Sequence, residues 1–376
     1  MLDDERATTT ASMAENKLHH YVPKCHLRQF ASGEAINLFN MASERLIRGA
    51  PIKGQCARNH FYGKDGGVER ALQDIEGAYA TTVAKAVASP ADISLDDLAV
   101  LREFTLLQTF RTYGHVEKIM ALAEKQYADL KAAGAGKKTP PRWLASVEEA
   151  VIMSIGHFLE TRDYIADLEL CLIVNESRLS FVTSDDPAIL TNRYHIQKLH
   201  HDAFGFSSAG AMIFLPLTPT LAFLAFDGNV YVAPERRGNL IIVKHDAEVT
   251  AINELQVLHA RQNIYYGDAV TGERLVADFR RLAEKRPTIW TELIYFKKVG
   301  ETKDGERYER VDALNFDNSE QFVSLVQMAH VQPSQWGRVL RYRLRPRVVD
   351  TGTGAGVVRP NHPVLTEEIR PTRFAL

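Results

Sequence analysis

Residues 211–226 read Ala-Met-Ile-Phe-Leu-Pro-Leu-Thr-Pro-Thr-Leu-Ala-Phe-Leu-Ala-Phe. A run this apolar invites a membrane assignment, but Pro216, Thr218, Pro219 and Thr220 break it in the middle. It reads instead as two buried strands, Ala211–Leu217 and Leu221–Phe226, around a tight turn. Working outward, Cys171–Val174, Leu179–Thr183, Val230–Val232 and Asn263–Tyr266 have the same Val-, Ile- and aromatic-rich character of strands. Helical spacing appears at Asp246–Ala260, through Val249, Ile252, Leu255 and Leu258, and again at Glu273–Glu284. Strand-like Thr288–Lys298 follows, and Asp304–Gly305 is a hairpin-turn signal ahead of Tyr308–Val311.

Upstream of residue 169 the pattern is helical. Val68, Leu72, Ile75, Tyr79, Val83 and Ala86 recur at three and four residues, and Pro90 ends the run. Ser94 with Asp97 caps a long helix predicted to reach about Lys131; Ser146 with Glu149 caps another that continues towards Tyr164. Gly134, Gly136, Pro140 and Pro141 make the loop between them. Near the start, Ile36–Phe39 and Arg45–Arg48 flank a polar turn and predict a hairpin. Helices and strands are clustered and do not alternate, which predicts an α+β fold: a helical segment packed with a mostly antiparallel or mixed β-sheet from the second half. The predicted organisation is a disordered extension over 1–17, one domain over 18–349 (helical over about 67–166, sheet-rich over about 169–349) and a flexible tail over 350–376.

The chain has 376 residues, 45% apolar and 24% charged, enough for a sizeable core and too hydrophobic for wholesale disorder. Its 45 basic and 47 acidic residues leave a formal charge of −2, so a strongly charged partner requires a local patch. Three widely spaced cysteines, Cys25, Cys56 and Cys171, suit reduced thiols. Residues 1–12 lack a basic segment followed by an apolar run, and Met13 is an alternative start to Met1; the expectation is a cytoplasmic protein with no membrane contact. Gly-rich phosphate loops and the Gly-x-Gly-x-x-Gly fingerprint are absent.

Several groups are candidates for chemistry. Thr183-Ser184-Asp185-Asp186-Pro187 places two carboxylates after an apolar strand, where hard cations are held, although Ser, Asp and Pro also simply make turns. Glu69, Gln73 and Glu76 share one helix face, a second source of carboxylates or merely a solvated face. Gly77 after Glu76 suggests close packing by another segment. Arg111, beside Gln108 and Thr112 on a face suited to burial, needs a carboxylate partner: Asp185, Asp186 or Glu76, unless it clamps an anionic ligand. His19, His20, Cys25, His26, Cys56 and His60 form a thiol and imidazole set, but only Cys56 and His60 have regular zinc spacing. Arg338, Arg341, Arg343, Arg345 and Arg347 are the densest cationic run; strand spacing predicts four guanidiniums on one edge, suited to a nucleic-acid backbone or to keeping an edge strand soluble.

The segment His20-Tyr21-Val22-Pro23-Lys24-Cys25-His26-Leu27-Arg28-Gln29-Phe30 resembles the opening motif of the family called domain of unknown function 4238. Further pieces follow in that family's order over about Leu18 to Gly267: Asn59-His60-Phe61-Tyr62, Glu69 and Ile75-Glu76-Gly77, Leu107-Gln108 with Arg111-Thr112, Thr183-Ser184-Asp185-Asp186-Pro187, Leu215-Pro216-Leu217-Thr218-Pro219, and Asn253 ahead of Ile264-Tyr265-Tyr266. Cys25 and His26 stand where the family usually has aromatic or amide residues, and Asn is common where Asp186 stands. The resemblance implies shared architecture and directs attention to His20, Tyr21, Pro23, Arg28, Tyr62, Glu76, Arg111, Asp185, Ser184, Pro187 and Asn253; it implies no reaction.

Together these residues suggest a metal-assisted phosphodiester hydrolase. In it Asp185 and Glu76 hold Mg²⁺ or Mn²⁺, His20 is the general base and Arg111 stabilises phosphoryl charge. The alternative is a non-enzymatic binding or regulatory module. There the same polar groups knit helices to sheet, and the ridge at 338–347 contacts nucleic acid or a protein. Everything depends on whether His20, Glu76, Arg111 and Asp185 meet.

Overall fold

The computed structural model of the chain describes residues 17–375 except 65, 133–145, 201–202, 303–304, 313–321, 353–354, 361 and 363–371. The predicted extension before residue 17 and the loop at 134–141 lie outside the described residues. Strand β1 (Leu18–His20) leads into the single-turn helix α1 (Lys24–Leu27). The predicted hairpin forms from β2 (Ala35–Asn40) and β3 (Arg45–Pro51), and β4 (Ala57–Asn59) returns antiparallel to β1.

The helical segment comprises α2 (Gly67–Ala88), α3 (Leu95–Arg111), α4 (Tyr113–Ala132) and α5 (Val147–Thr161). Both predicted N-caps are made: Ser94 and Asp97 form a reciprocal capping box, and the Ser146 hydroxyl accepts from the Glu149 amide. The single helix predicted to run from Ser94 to Lys131 is two helices. Thr112 adopts extended backbone (ψ 153°), its hydroxyl donates to Asp186 Oδ1 at 2.7 Å and accepts from the His115 amide, so it ends one helix and caps the next.

The second half contributes β5 (Glu169–Asn175), β6 (Thr183–Ser184), β7 (Ile189–Thr191), β8 (Met212–Thr218), β9 (Leu221–Phe226), β10 (Tyr231–Val232), β11 (Arg236–Arg237) and β12 (Leu240–Val243). After them come α6 (Asp246–His259), β13 (Asn263–Tyr266), α7 (Ala269–Leu282), β14 (Thr291–Thr302), β15 (Gly305–Val311), β16 (Phe322–Met328), β17 (Arg341–Tyr342), β18 (Val349–Asp350), β19 (Val357–Val358) and β20 (Thr372–Ala375). The fold is α+β, and its sheets are antiparallel or mixed. The largest has the order β11-β12-β5-β9-β8-β7, with only β12 and β5 parallel. A second has the order β3-β2-β13-β6, a third β16-β14-β15-β20.

The run at 211–226 is the hairpin β8–β9, and its period of two supplies both faces of the core. Ile213, Leu215, Phe223 and Ala225 pack with Leu98, Leu101 and Phe104 of α3. Met212, Phe214, Leu224 and Phe226 pack with Val249, Ile252 and Leu255 of α6. A sheet covered on both sides reads as continuous apolar strands, which is why this stretch looked membrane-like. Among the described residues no helix is long and apolar enough to cross a membrane.

One further expectation is corrected. The strand predicted at Leu179–Thr183 is reduced to Thr183–Ser184, because Asn253 takes over its backbone: Oδ1 accepts from the Val182 amide and Nδ2 donates to the Ser180 carbonyl. Within the segment expected as a tail, Arg359 is fully buried, pairs with Asp167 at 2.7 Å and donates to the carbonyls of Phe206, Ser208 and Tyr164.

Candidate functional site

A cleft of about 370 Å³ opens between the β1–α1 segment and α2. Proline at 23 ends the extended segment and fixes the entry to α1, which sets Lys24 and Cys25 on one wall. Glu69, Gln73, Glu76 and Gly77 come from the facing side of α2, as their spacing predicts. Gly77 is not packed against another segment: a Cβ there meets nothing within 4 Å, so the helix is bare where it lines the cleft.

Arg111, at the end of α3, lines the same cleft while itself only 1% exposed. Its Nη1 donates to Glu76 Oε1 at 2.8 Å, Nε to Tyr62 Oη at 2.9 Å and Nη2 to the His20 carbonyl at 2.9 Å. Tyr62 in turn donates to the His20 carbonyl, and burial pushes its hydroxyl up to about 12. Burial works against the Arg111 charge, yet Tyr62 and Glu76 more than offset it and hold the guanidinium above its ordinary value. Of the three carboxylates considered for Arg111, Glu76 is the partner.

His20 completes the cleft. Its Nε2 hydrogen-bonds the Lys53 carbonyl at 3.2 Å, so Nε2 carries the proton and Nδ1 keeps its lone pair. Burial, then the charges of Lys24, Arg111 and Arg28, press its pKa down to about 4, so the ring is neutral at pH 7. Arg28 is tied to Glu34 and Glu69 to His19, whereas Lys24 has no ion-pair partner among the described residues. Three cations against two carboxylates line the space.

Asp185 is not brought into this group. Its Oδ1 accepts from the Arg261 amide at 2.9 Å and its Oδ2 from those of Gln262 at 2.7 Å and Asn263 at 3.3 Å, stapling the end of α6 and the start of β13 to the Thr183–Ser184 turn. Burial pushes its carboxyl up to about 6 against the pull of those three amides. Ser184 bonds Gln256, which also donates to the Pro187 carbonyl. Asp186 faces another way, towards Thr112, Lys118 and His259, at 2.7, 3.8 and 3.6 Å. A Cβ at Gly114 would come within 2.9 Å of Asp186 Oδ2, so only glycine fits that approach.

The donor set therefore does not fit the Mg²⁺ or Mn²⁺ site predicted from Asp185 and Glu76: one carboxylate is spent on amides, the other on Arg111. Among the described residues no three His, Cys, Asp or Glu side chains are placed to hold a metal. The zinc set is dispersed as well. His19 accepts from the Tyr62 amide and meets Glu69, His26 sits between Tyr79 and Thr183, and Cys56 contacts the Tyr265 hydroxyl.

The family is decided by the chain's match to a single model. Residues 18–269 match the model described as protein of unknown function (DUF4238). The chain belongs to this family. No curated protein and no solved structure matches it. Within DUF4238, the matched span carries the whole cleft and excludes the arginine run at 338–347.

That run is not the predicted four-residue ridge. Only Arg341–Tyr342 is strand, paired with Tyr231–Val232. The Arg343 guanidinium donates to the Gly228 carbonyl and that of Arg347 to Asn229 Oδ1, so both fold back on one turn. Residues that sequence reasoning missed include Lys24 in the cleft and the Lys118, His259 and Trp290 group around Asp186. No local spacing signals them, because their neighbours are distant in the chain.

Proposed function

We propose that the cleft recognises a phosphoryl group on a small ligand, using Arg111 and Lys24, without a resident metal ion. The observation that carries this reading is the combination of a preorganised, buried guanidinium with an unpaired ammonium around a neutral imidazole. Arg111 spends one N–H per nitrogen on protein acceptors and keeps further N–H groups on Nη1 and Nη2, and phosphoryl oxygens suit a fork held in this way. Lys24 supplies the compensating charge that Glu76 already removes from Arg111. Titration of inorganic pyrophosphate and of adenosine monophosphate into the full chain, with chelator present, tests it. Saturable binding weakened about tenfold by Lys24→Glu is expected; absence of binding by both probes at millimolar concentration overturns it.

One observation favours a second reading, cleavage of a phosphodiester held in the cleft. With Nε2–H committed to Lys53, the neutral His20 ring presents Nδ1 as a proton acceptor at pH 7. In that reaction Nδ1 takes the proton of an attacking water, the water oxygen bonds to phosphorus as one P–O ester bond breaks, and the ester group leaves as the oxyanion (4-nitrophenolate from a 4-nitrophenyl ester), while Arg111 stabilises the phosphoryl charge. His20→Gln then abolishes turnover of bis(4-nitrophenyl) phosphate in the presence of chelator and leaves pyrophosphate affinity within about twofold; equal turnover in the two proteins removes the catalytic role.

A further inference from the structure

Beside α6 and the β12 edge of the largest sheet, two hollows meet at Glu248 and Val339. One, about 430 Å³, has Glu235 in its lining and is flanked by four cations, Arg237, Lys244, Arg338 and Arg341. All four are exposed, and the three arginines have no ion-pair partner among the described residues. The other is a narrow apolar slot of about 40 Å³ with Phe214, Ile252, Leu255 and Trp336 in its walls. Where they join, Glu248 is 8% exposed and packs on Gly337, whose Cβ would sit 3.4 Å from Glu248 Cα. Its Oε2 is buried without a hydrogen-bond partner, and so is the Trp336 indole Nε1.

We propose that this double hollow is a docking groove for an acidic, extended peptide with an apolar anchor residue. Buried polar atoms left unpaired are costly, and each calls for a partner. The two left here are one acceptor, Glu248 Oε2, and one donor, Trp336 Nε1, which is what the N–H and C=O of an extended peptide require. The slot, about 40 Å³, admits the tip of one aliphatic side chain, and the cations flank the residues beside it. The sheet edge adds backbone groups: β11 pairs only with Leu240 and Ile241, leaving Ile242 with no strand partner on that side among the described residues, whereas the Val243 carbonyl accepts from Glu176 on the β5 side. Strand addition with a side-chain pocket is a recurring mode of peptide capture. A nucleic-acid strand would use the arginines but leaves the aliphatic slot unfilled, so it is the less complete fit. The groove shares no residue with the cleft around His20 and Arg111 and does not depend on that cleft's function.

Fluorescence anisotropy on the full chain tests the assignment. The probe is a twelve-residue peptide of Asp and Glu with one central Leu, compared with its Leu→Ala version and with a single-stranded DNA of equal charge. Saturable binding of the Leu peptide is expected, weakened about fivefold by Leu→Ala and at least tenfold by Arg237→Glu with Arg341→Glu. These are exposed positions, and circular dichroism verifies that the variant is folded. Absence of saturable peptide binding, indifference to the arginine changes or to the anchor, or tighter binding of the DNA than of the Leu peptide overturns the proposal.

Discussion

Replacing Glu76 by glutamine separates the two roles open to this carboxylate, because stability and ligand affinity should move in opposite directions. Arg111 is 1% exposed and its Nη1 lies 2.8 Å from Glu76 Oε1, while Glu76 is 27% exposed. Removing one partner of a fully buried ion pair costs about 3–5 kcal/mol. Glutamine keeps an acceptor oxygen, and water reaches the Glu76 side, which cuts the expected loss to roughly 1–2 kcal/mol. The same substitution deletes a negative charge beside the proposed phosphoryl seat. At roughly 6 Å, with an effective dielectric between about 20 and 80, that repulsion is worth about 0.7–3 kcal/mol. After salt screening about 1 kcal/mol remains, or roughly fivefold in Kd. Urea denaturation reads the first quantity and calorimetric titration with pyrophosphate the second. A variant as stable as the parent, or one that binds pyrophosphate more weakly, refutes Glu76 as the counter-ion of Arg111. Weaker binding is the outcome a carboxylate carrying the ligand itself would give.

The buried histidines make stability depend on pH. His26, hydrogen-bonded to Tyr79 and Thr183, is pressed down to about 3 by burial, and His115 similarly to about 3. With a folded pKa below the unfolded value of about 6.5, each is fully compatible with the fold above pH 6.5. As pH falls below that, the unfolded chain gains the proton, so stability drops by about 1.4 kcal/mol per pH unit per residue down to the folded value. Urea midpoints should therefore fall steeply between pH 6.5 and 5, and His26→Gln should reduce the slope by about one proton; an unchanged slope rejects a buried neutral His26. Asp185→Ala orphans three backbone amides and should cost roughly 2–5 kcal/mol in chemical denaturation at pH 8, with pyrophosphate affinity unchanged wherever the protein is folded. Unchanged stability with lost affinity would return Asp185 to the chemistry of the cleft.

Elements whose signal is local were legible in the sequence. Ser94 with Asp97 and Ser146 with Glu149 are complete instructions for a helix start, and two continuous apolar runs around the Thr218–Thr220 turn are a complete instruction for a strand pair buried on both faces. Four members of the candidate site were legible for a related reason: Glu69, Gln73 and Glu76 follow from helical spacing, and an arginine on a buried helix face, Arg111, demands a carboxylate. What could not be read are decisions made by distant partners. Nothing around Thr112 announces a helix break, because the break is fixed by Asp186, and nothing around Leu179–Thr183 announces that Asn253 will take its Val182 amide and Ser180 carbonyl. Lys24 looks like any surface lysine until α2 is placed opposite it.

The aspartate pair shows why adjacency misleads. Asp185 and Asp186 follow a strand, and successive residues of extended chain point to opposite sides, so two neighbouring carboxylates are poorly placed to share one cation from there. Each goes to a different joint: Asp185 to the amides of residues 261–263, Asp186 to Thr112 between α3 and α4. Thr112 is the next residue after Arg111. A turn that looks catalytic thus bears on the cleft at one remove: by holding the point where α3 ends, it determines where the last side chain of that helix, the buried guanidinium, can stand. Asp186→Ala, which alters no cleft residue but removes the acceptor that holds Thr112, should then perturb pyrophosphate affinity by shifting Arg111 while Asp185→Ala does not, even though the two residues are neighbours in the chain.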